Sequence, residues 1–282
     1  MSYKTILVHV DESERAGERV GIAARLAVAD GAHLIGAAAT GVSMFLRQTV
    51  TAHPDDPAIA PYLYILRQRA HGALDRFDTI VQQAGLSSFE RRLIDDEAAA
   101  GISLNARYCD LVVVGQSHPD QPAPALGLDF PEYVILHSGG PVLIVPYASQ
   151  ASTATGVGST ILLAWNGSLE ARRAVHNALP LLKRAGRVEV AVLNPNQRPG
   201  VHGAQPGTDI ALYLARHGVT VNVREKFTPD DIGGALLSLA VDCGADLLVM
   251  GCYGHSRLRE VLLDGATRAI LEAMTLPVLM SH

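Results

Sequence analysis

The chain has 282 residues, of which 48% are hydrophobic, and a formal net charge of −5. This length suits two domains of about 140 residues each. The negative charge, without any block of basic residues, argues against a nucleic-acid backbone or an anionic membrane surface as a partner. Three cysteines without paired spacing indicate free thiols in a reducing cytosol. No run approaches the roughly 20 apolar residues that span a bilayer, so we expect a cytoplasmic location.

Short apolar strands alternate with amphipathic helices along the first half. A polar stretch rich in proline, 40–61, is predicted to be a loop, as is 116–128. The pair Asp95-Asp96 is predicted to cap the helix that it begins. Strands are predicted at 5–10, 33–39, 89–94, 111–114 and 142–145, and helices at 12–30, 62–84, 95–108 and 131–137.

The same alternation restarts after a segment of small residues, 148–158, which is predicted to be a linker. The predicted domains are therefore 1–147 and 159–282. In the second half, strands are predicted at 161–164, 188–193, 220–224, 247–250 and 277–280, and helices at 169–182, 209–216, 232–241 and 258–271.

The two halves are an internal repeat. Thr5-Ile-Leu-Val matches Thr160-Ile-Leu-Leu at an offset of 155, and Asp110-Leu-Val-Val-Val-Gly matches Asp246-Leu-Leu-Val-Met-Gly at an offset of 136. Alternating apolar strands and helices predict an α/β fold of two tandem, doubly wound, five-stranded parallel sheets that resemble the Rossmann fold. Ligands of such sheets bind beyond the carboxyl ends of the strands, where the strand order reverses.

The chain resembles the universal stress proteins in their tandem two-domain form. The resemblance rests on K-T-I-L-V-H-V-D-E-S near the start, the strand and glycine turn at Gly251, and the terminal L-P-V-L-M. It implies an adenine nucleotide alpha hydrolase-like fold and a cytoplasmic stress-response protein. It also implies binding of ATP or a related adenine nucleotide as a switch, with Mg²⁺ as the accompanying cation and an unknown protein partner. In that family the last strands pair across a dimer interface, so the resemblance implies an internal pseudo-dimer, with a homodimer as a further option.

The family's nucleotide-binding branch carries glycines separated by two and then nine residues, followed by Ser or Thr. Gly251 and Gly254 fit the first two glycines, but Asp264 and Gly265 occupy the last two positions. A carboxylate at Asp264 would repel phosphates unless Mg²⁺ intervenes or the side chain turns away, and Gly265 could shift the turn by one residue. The nucleotide-binding residues that the resemblance implies are Asn166, Leu193, Gly251, Gly254, His255, Ser256, Gly265 and Ala266.

The first half departs from the motif in a complementary way. Asp11, which the resemblance assigns to the adenosine part, is present here and is replaced by Asn166 in the second half. However, His118 stands where the second glycine belongs, and Leu128 and Asp129 stand at the last two positions. Side chains at these positions obstruct the backbone amides that cradle a phosphate, so we expect a degenerate site in the first domain.

Signatures of catalysis are sparse in the sequence. It contains no G-x-x-x-x-G-K-S/T loop, no G-x-S-x-G elbow and no H-E-x-x-H pair. We therefore expect no catalytic residues, no residues that bind a metal, and at most slow hydrolysis of ATP. The alternative is an interaction or scaffold protein of the same fold whose two sites are vestigial.

Overall fold

A computed structural model describes residues 2–42, 60–117, 129–148, 156–195, 205–228, 231–254 and 265–282. Its contacts divide the chain into two compact units, Ser2–Val142 and Leu143–His282. Both units contain parallel strands covered by helices, so the predicted α/β class and tandem organisation are confirmed. The predicted domain limits and the predicted pairing of the two last strands stay predictions.

The sheet of the first unit is parallel, with the strand order β3-β2-β1-β4. β1 lies in the centre, since Thr5 pairs with His33 of β2 and Ile6 pairs with Leu111 of β4. The chain order reverses between β1 and β4, which is where a ligand of a doubly wound sheet binds. The strands of this unit are β1 (Thr5–His9), β2 (His33–Ala39), β3 (Phe89–Ile94) and β4 (Leu111–Gly115). The next strand, β5 (Val142–Val145), begins at the last residue of this unit and continues into the second.

Helices of the first unit cover this sheet, and the start of the first one differs from its prediction. The predicted helix 12–30 begins at Ala16, because Asp11 Oδ1 accepts hydrogen bonds from the Ser13 N–H and hydroxyl and holds 11–13 in a turn. It ends as predicted before Gly31, whose φ of 60° suits a glycine. The helices are α1 (Ala16–Asp30), α2 (Ala60–Gln83), α3 (Ala98–Ala106) and α4 (Phe130–His137).

The predicted capping role of Asp95 and Asp96 is wrong. The residue before α3 is Glu97, and no side chain caps this helix. Asp95 instead forms a bidentate ion pair with Arg67 of α2, with N–O distances of 3.2 and 2.8 Å. Asp96 accepts a hydrogen bond from the Glu97 N–H. Both carboxylates form their bonds before the helix begins, because α3 starts at Ala98, three residues later than the pattern suggests.

The second unit repeats the arrangement with the order β10-β9-β6-β7-β8, so its switch point lies between β6 and β9. The predicted strand at 220–224 lies two residues later, and the first part of the predicted helix 258–271 falls outside the described residues. The strands are β6 (Thr160–Ala164), β7 (Arg187–Leu193), β8 (Asn222–Lys226), β9 (Leu247–Gly251) and β10 (Val278–Ser281). The helices are α5 (Leu169–Leu182), α6 (Thr208–Arg216), α7 (Ile232–Cys243) and α8 (Ala266–Ala273).

An aspartate before each fourth strand ties that strand to the start of the first strand of its unit. Asp110 accepts from the Lys4 and Thr5 N–H groups, and Asp246 accepts from the N–H groups of Gly158, Ser159 and Thr160. The repeated device sets the same strand register at both switch points. None of the helices in the described part of the chain is long and apolar enough to cross a membrane.

Candidate functional site

Charged side chains converge at the switch point of the first unit. Asp11 follows β1, and its Oδ1 lies 3.0 Å from Arg19 Nη2. Arg19 comes from α1, has a side chain that is only 3% exposed, and donates from Nε to the His9 carbonyl at 2.7 Å. The His9 ring lies 3.6 Å from Asp11 through its Nδ1. The carboxyl end of β1 is thus sealed by an ion pair.

The same arginine reaches the neighbouring strand. A Cβ placed on Gly115, at the end of β4, would lie 2.5 Å from Arg19 Nη1. The Phe130 ring, at the start of α4, packs at 4.7 Å from the His9 ring. Asp129 fixes this phenylalanine through a capping box with Glu132. Large side chains therefore lie at the carboxyl ends of β1 and β4. The degenerate site of the first domain stays a prediction.

Burial and charge perturb both acid–base groups of this cluster. Burial, followed by the Arg19 charge, lowers the pKa of His9 to about 4. Burial acts to raise the pKa of Asp11, but the charges of Arg19 and His9 and the hydrogen bonds from Ser13 outweigh it and lower that pKa to about 2. At neutral pH the cluster is a neutral imidazole beside an arginine–aspartate pair.

Small residues replace these side chains in the second unit. At the offset of 155, Ala164 stands for His9 and Ala174 for Arg19, and at the offset of 136, Ala266 stands for Phe130. Ala164 and Ala266 are half-buried, and Ala174 is fully buried. An imidazole, a guanidinium and a phenyl ring are each replaced by a methyl group. Among the described residues, the second switch point therefore carries smaller side chains than the first at these three positions.

Asn166, a predicted site residue, follows the carboxyl end of β6 by two residues. Its Oδ1 accepts from the Ser168 N–H at 3.0 Å, and the Ser168 hydroxyl in turn accepts from the Ala171 N–H and begins α5. The Nδ2 group of Asn166 carries two hydrogens, which can donate to a base edge or a ribose oxygen. Asn166 is exposed, so a ligand can reach it.

Leu193 ends β7, the strand beside β6, and is half-buried. Asn194, directly after it, adopts a φ of 50°. The Asn194 side chain donates to the Thr228 carbonyl at 2.8 Å and accepts from the Thr228 N–H at 2.9 Å. These bonds fix the end of β7 and thereby position Leu193 at the carboxyl edge of the sheet.

The two glycines of the turn after β9 have different surroundings. A Cβ on Gly251 would lie 2.8 Å from Ala171 Cα and closer still to the Ala171 nitrogen. The first turn of α5 therefore packs so closely against position 251 that only a glycine fits there. The three heavy atoms nearest to a Cβ on Gly254 all belong to the Glu170 side chain, with 2.9 Å to its Cδ and 3.4 Å to its Cγ. Tyr253 between them has a φ of 55°, a conformation that is uncommon for residues other than glycine. Gly251 thus serves helix packing, and Gly254 faces the open side of the turn.

Gly265 and Ala266 place the start of α8 at the same edge. Gly265 is the residue before the helix, and its carbonyl accepts from the N–H groups of Arg268 and Ala269. No side chain in the described part of the chain caps this helix, and the first-turn N–H groups of an uncapped helix suit an anion. Two predicted site residues, His255 and Ser256, lie outside the described residues, as does Asp264.

Sequence reasoning missed His9, Arg19, Phe130 and Glu170. The signal that could have found three of them was the repeat itself, since aligning the halves at the two offsets sets each large residue against an alanine. Glu170 lies in the first turn of α5, and its carboxylate lies beside Gly254. Among the described residues, no group of three or more His, Cys, Asp or Glu side chains is placed to hold a metal ion.

Comparison with known protein families shows to which family the chain belongs. The model of the universal stress protein family matches residues 2–146 and again residues 159–282. The chain belongs to the universal stress protein family. The double match confirms the tandem form, with one universal stress domain on either side of the predicted linker.

Solved structures with this fold match nearly the whole of this universal stress protein. A universal stress protein from Archaeoglobus fulgidus is 16% identical, with a TM-score of 0.74 over 98% of this chain and 95% of that one. A universal stress protein from Pseudomonas aeruginosa is also 16% identical, with a TM-score of 0.60 over 99% and 93%. At this identity the agreement is one of fold. A search of curated proteins finds no match to this chain.

Proposed function

We propose that this universal stress protein binds an adenine nucleotide, such as ATP, in its second unit and that occupancy of the site acts as a regulatory switch. The observation that carries the proposal is the contrast between the two switch points. The first holds His9, Arg19 and Phe130, whereas the second holds only alanines at the matching positions. The smaller side chains would leave room for a base and ribose beyond the carboxyl ends of β6 and β9.

Polar groups around this room suit a nucleotide. Asn166 offers amide hydrogens to the adenosine part, and Leu193 offers an apolar edge beside it. The backbone after Gly251 and the uncapped start of α8 offer N–H groups to the phosphates. Binding would order the turn at Gly254 and change the surface that a protein partner meets, which is how occupancy would act as a switch. We expect hydrolysis to be slow at most.

Calorimetry with ATP and Mg²⁺ tests the proposal. The variant Ala266→Phe places in the second unit the aromatic ring that Phe130 places in the first, and we expect it to weaken ATP binding at least about tenfold. The matched control is Ala273→Phe, the same substitution in an exposed residue of the same helix, and we expect wild-type affinity. Equal affinity in all three proteins would mean that ATP does not bind at the three alanines of the second switch point.

The alternative is a scaffold protein with two vestigial sites. Native mass spectrometry of the freshly purified protein separates the two functions. A co-purifying adenine nucleotide supports the proposed function. A folded protein without nucleotide, combined with no calorimetric signal for ATP, supports the scaffold.

A further inference from the structure

Glu170 places a carboxylate directly beside the glycine turn of the second unit. A Cβ added to Gly254 would collide with Glu170 Oε2 and would lie 2.9 Å from its Cδ. The side chain of Glu170 is only 14% exposed, so water screens its charge poorly. The nearest described cation is Arg173, whose Nη1 lies 3.7 Å from Glu170 Oε1 and whose side chain is 53% exposed.

The first unit carries the opposite charges at these positions. At the offset of 155, Arg15 matches Glu170 and Glu18 matches Arg173. Both pairs are ion pairs within one helical turn, with N–O distances of 3.3 Å in the first unit and 3.7 Å in the second. The repeat therefore preserves the pair and exchanges its signs. In the second unit, the negative member lies beside Gly254 of the glycine turn.

Helix electrostatics explains why a glutamate is tolerated there but not what it does to a ligand. An acid in the first turn of a helix is favoured by the helix dipole. A phosphate held by the amides after Gly251 would nevertheless face this carboxylate at short range, and two such anions repel each other. A Mg²⁺ ion removes the repulsion, because it is commonly bound by one or two carboxylates together with phosphate oxygens.

We propose that Glu170 makes nucleotide binding at the Gly251–Gly254 turn depend on a divalent cation. The ligand of this site is then the metal-chelated nucleotide, and the metal-free polyanion is rejected. The inference rests on the proposed function, because it concerns the same site. Glu170 acts here as a specificity-determining residue, and Arg173 moderates it from the solvent side.

The experiment measures ATP affinity by calorimetry with Mg²⁺ and, separately, with EDTA. In the wild type we expect Mg²⁺ to tighten binding at least about tenfold. In Glu170→Gln, which keeps the side-chain shape, we expect metal-free ATP to bind at least about tenfold more tightly than in the wild type, so that the Mg²⁺ effect shrinks. Glu272→Gln is the matched control, since it removes the same charge from an exposed residue of α8 and should behave as the wild type. Arg173→Gln should enlarge the Mg²⁺ effect.

The outcomes separate this inference from the function beneath it. If the wild type and Glu170→Gln bind ATP with the same Mg²⁺ effect, the role of Glu170 is overturned and nucleotide binding stands. If Glu272→Gln changes the Mg²⁺ effect as much as Glu170→Gln, the effect is one of net charge and the inference also fails. If none of the proteins binds ATP in either buffer, the proposed function and the inference fall together.

Discussion

Arg19 Nη2 lies 3.0 Å from Asp11 Oδ1 at the carboxyl end of β1. Asp11 is the residue that the family resemblance assigns to the adenosine part of a nucleotide, yet here its carboxylate neutralises a buried guanidinium. The same guanidinium covers Gly115, at the end of the neighbouring strand. A position that matches the family motif is thus engaged by a buried arginine of α1 in the first unit.

Removal of Arg19 should destabilise the first unit. In Arg19→Met, Asp11 and the His9 carbonyl lose their partner, and we expect a loss of about 2–4 kcal/mol in the free energy of unfolding, toward the lower end because Asp11 is 36% exposed. Denaturant unfolding at pH 7 measures it. The control is Arg15→Met, which breaks an ion pair at an arginine that is 45% exposed and should cost less than about 1 kcal/mol. Similar losses in both variants would contradict a structural role for the buried pair.

Stability should fall as the pH is lowered from about 6.5 to 4, because of His9. Its pKa is about 4 in the folded protein, against an ordinary value of 6.5. In this window the unfolded chain binds a proton that the folded chain rejects, so acidification favours unfolding, by about 3 kcal/mol over the whole window. Asp11, with a pKa lowered from 3.8 to about 2, adds a further loss only below about pH 4.

The variant His9→Gln tests this assignment. It removes the titrating ring, so its free energy of unfolding should change less between pH 7 and pH 5 than that of the wild type. The control is His71→Gln, which alters an exposed histidine of α2 and should keep the wild-type pH dependence. If His9→Gln loses as much stability on acidification as the wild type does, another group is responsible.

The sequence was sufficient for the elements of the fold. β2, β3, β5 and α5 begin and end where the pattern predicted. Buried parallel strands leave continuous apolar runs, and Gly31 marks a helix end through a conformation that other residues avoid. The errors occurred at the polar ends of elements. Asp95, for example, pairs with Arg67, which is distant in the sequence, and does not cap the helix.

The sequence alone did not predict which side chains lie at the two switch points. Nothing local distinguishes Arg19, which is buried, from Arg15 four residues earlier, which is exposed. Their difference depends on how α1 packs against β1 and β4. The sequence likewise does not indicate that Glu170 lies beside Gly254, because this contact depends on how α5 packs against the turn. The repeat carried part of this information, because it aligns Arg19 with an alanine.

Asp246 should contribute strongly to the stability of the second unit. Its carboxylate accepts three backbone N–H groups, from Gly158, Ser159 and Thr160, at 2.9 to 3.1 Å. In Asp246→Ala these donors lose a charged acceptor, and we expect a loss of about 2–3 kcal/mol in the free energy of unfolding. The control is Asp242→Ala in the exposed end of α7, which should lie within about 0.5 kcal/mol of the wild type. Equal stability of Asp246→Ala and the control would show that water replaces the carboxylate without cost.

Substitutions of Gly251 and Gly254 should affect different properties, the first the stability of the protein and the second its affinity for ATP. In Gly251→Ala the new methyl group meets the backbone of Ala171, which cannot turn aside, and we expect a loss of about 1–3 kcal/mol in the free energy of unfolding. In Gly254→Ala the atoms nearest to the methyl group are those at the end of the Glu170 side chain, which can rotate, so stability should stay within about 1 kcal/mol of the wild type.

Affinity for Mg-ATP should fall in Gly254→Ala, because the methyl group and the displaced carboxylate both enter the space in front of the turn amides. Calorimetry and denaturant unfolding of the same two variants give the comparison. A Gly251→Ala protein as stable as the wild type would mean that α5 does not press on the end of β9. A stable Gly254→Ala protein with undiminished affinity would mean that the phosphates are held elsewhere, and the turn would then be a feature of the fold alone.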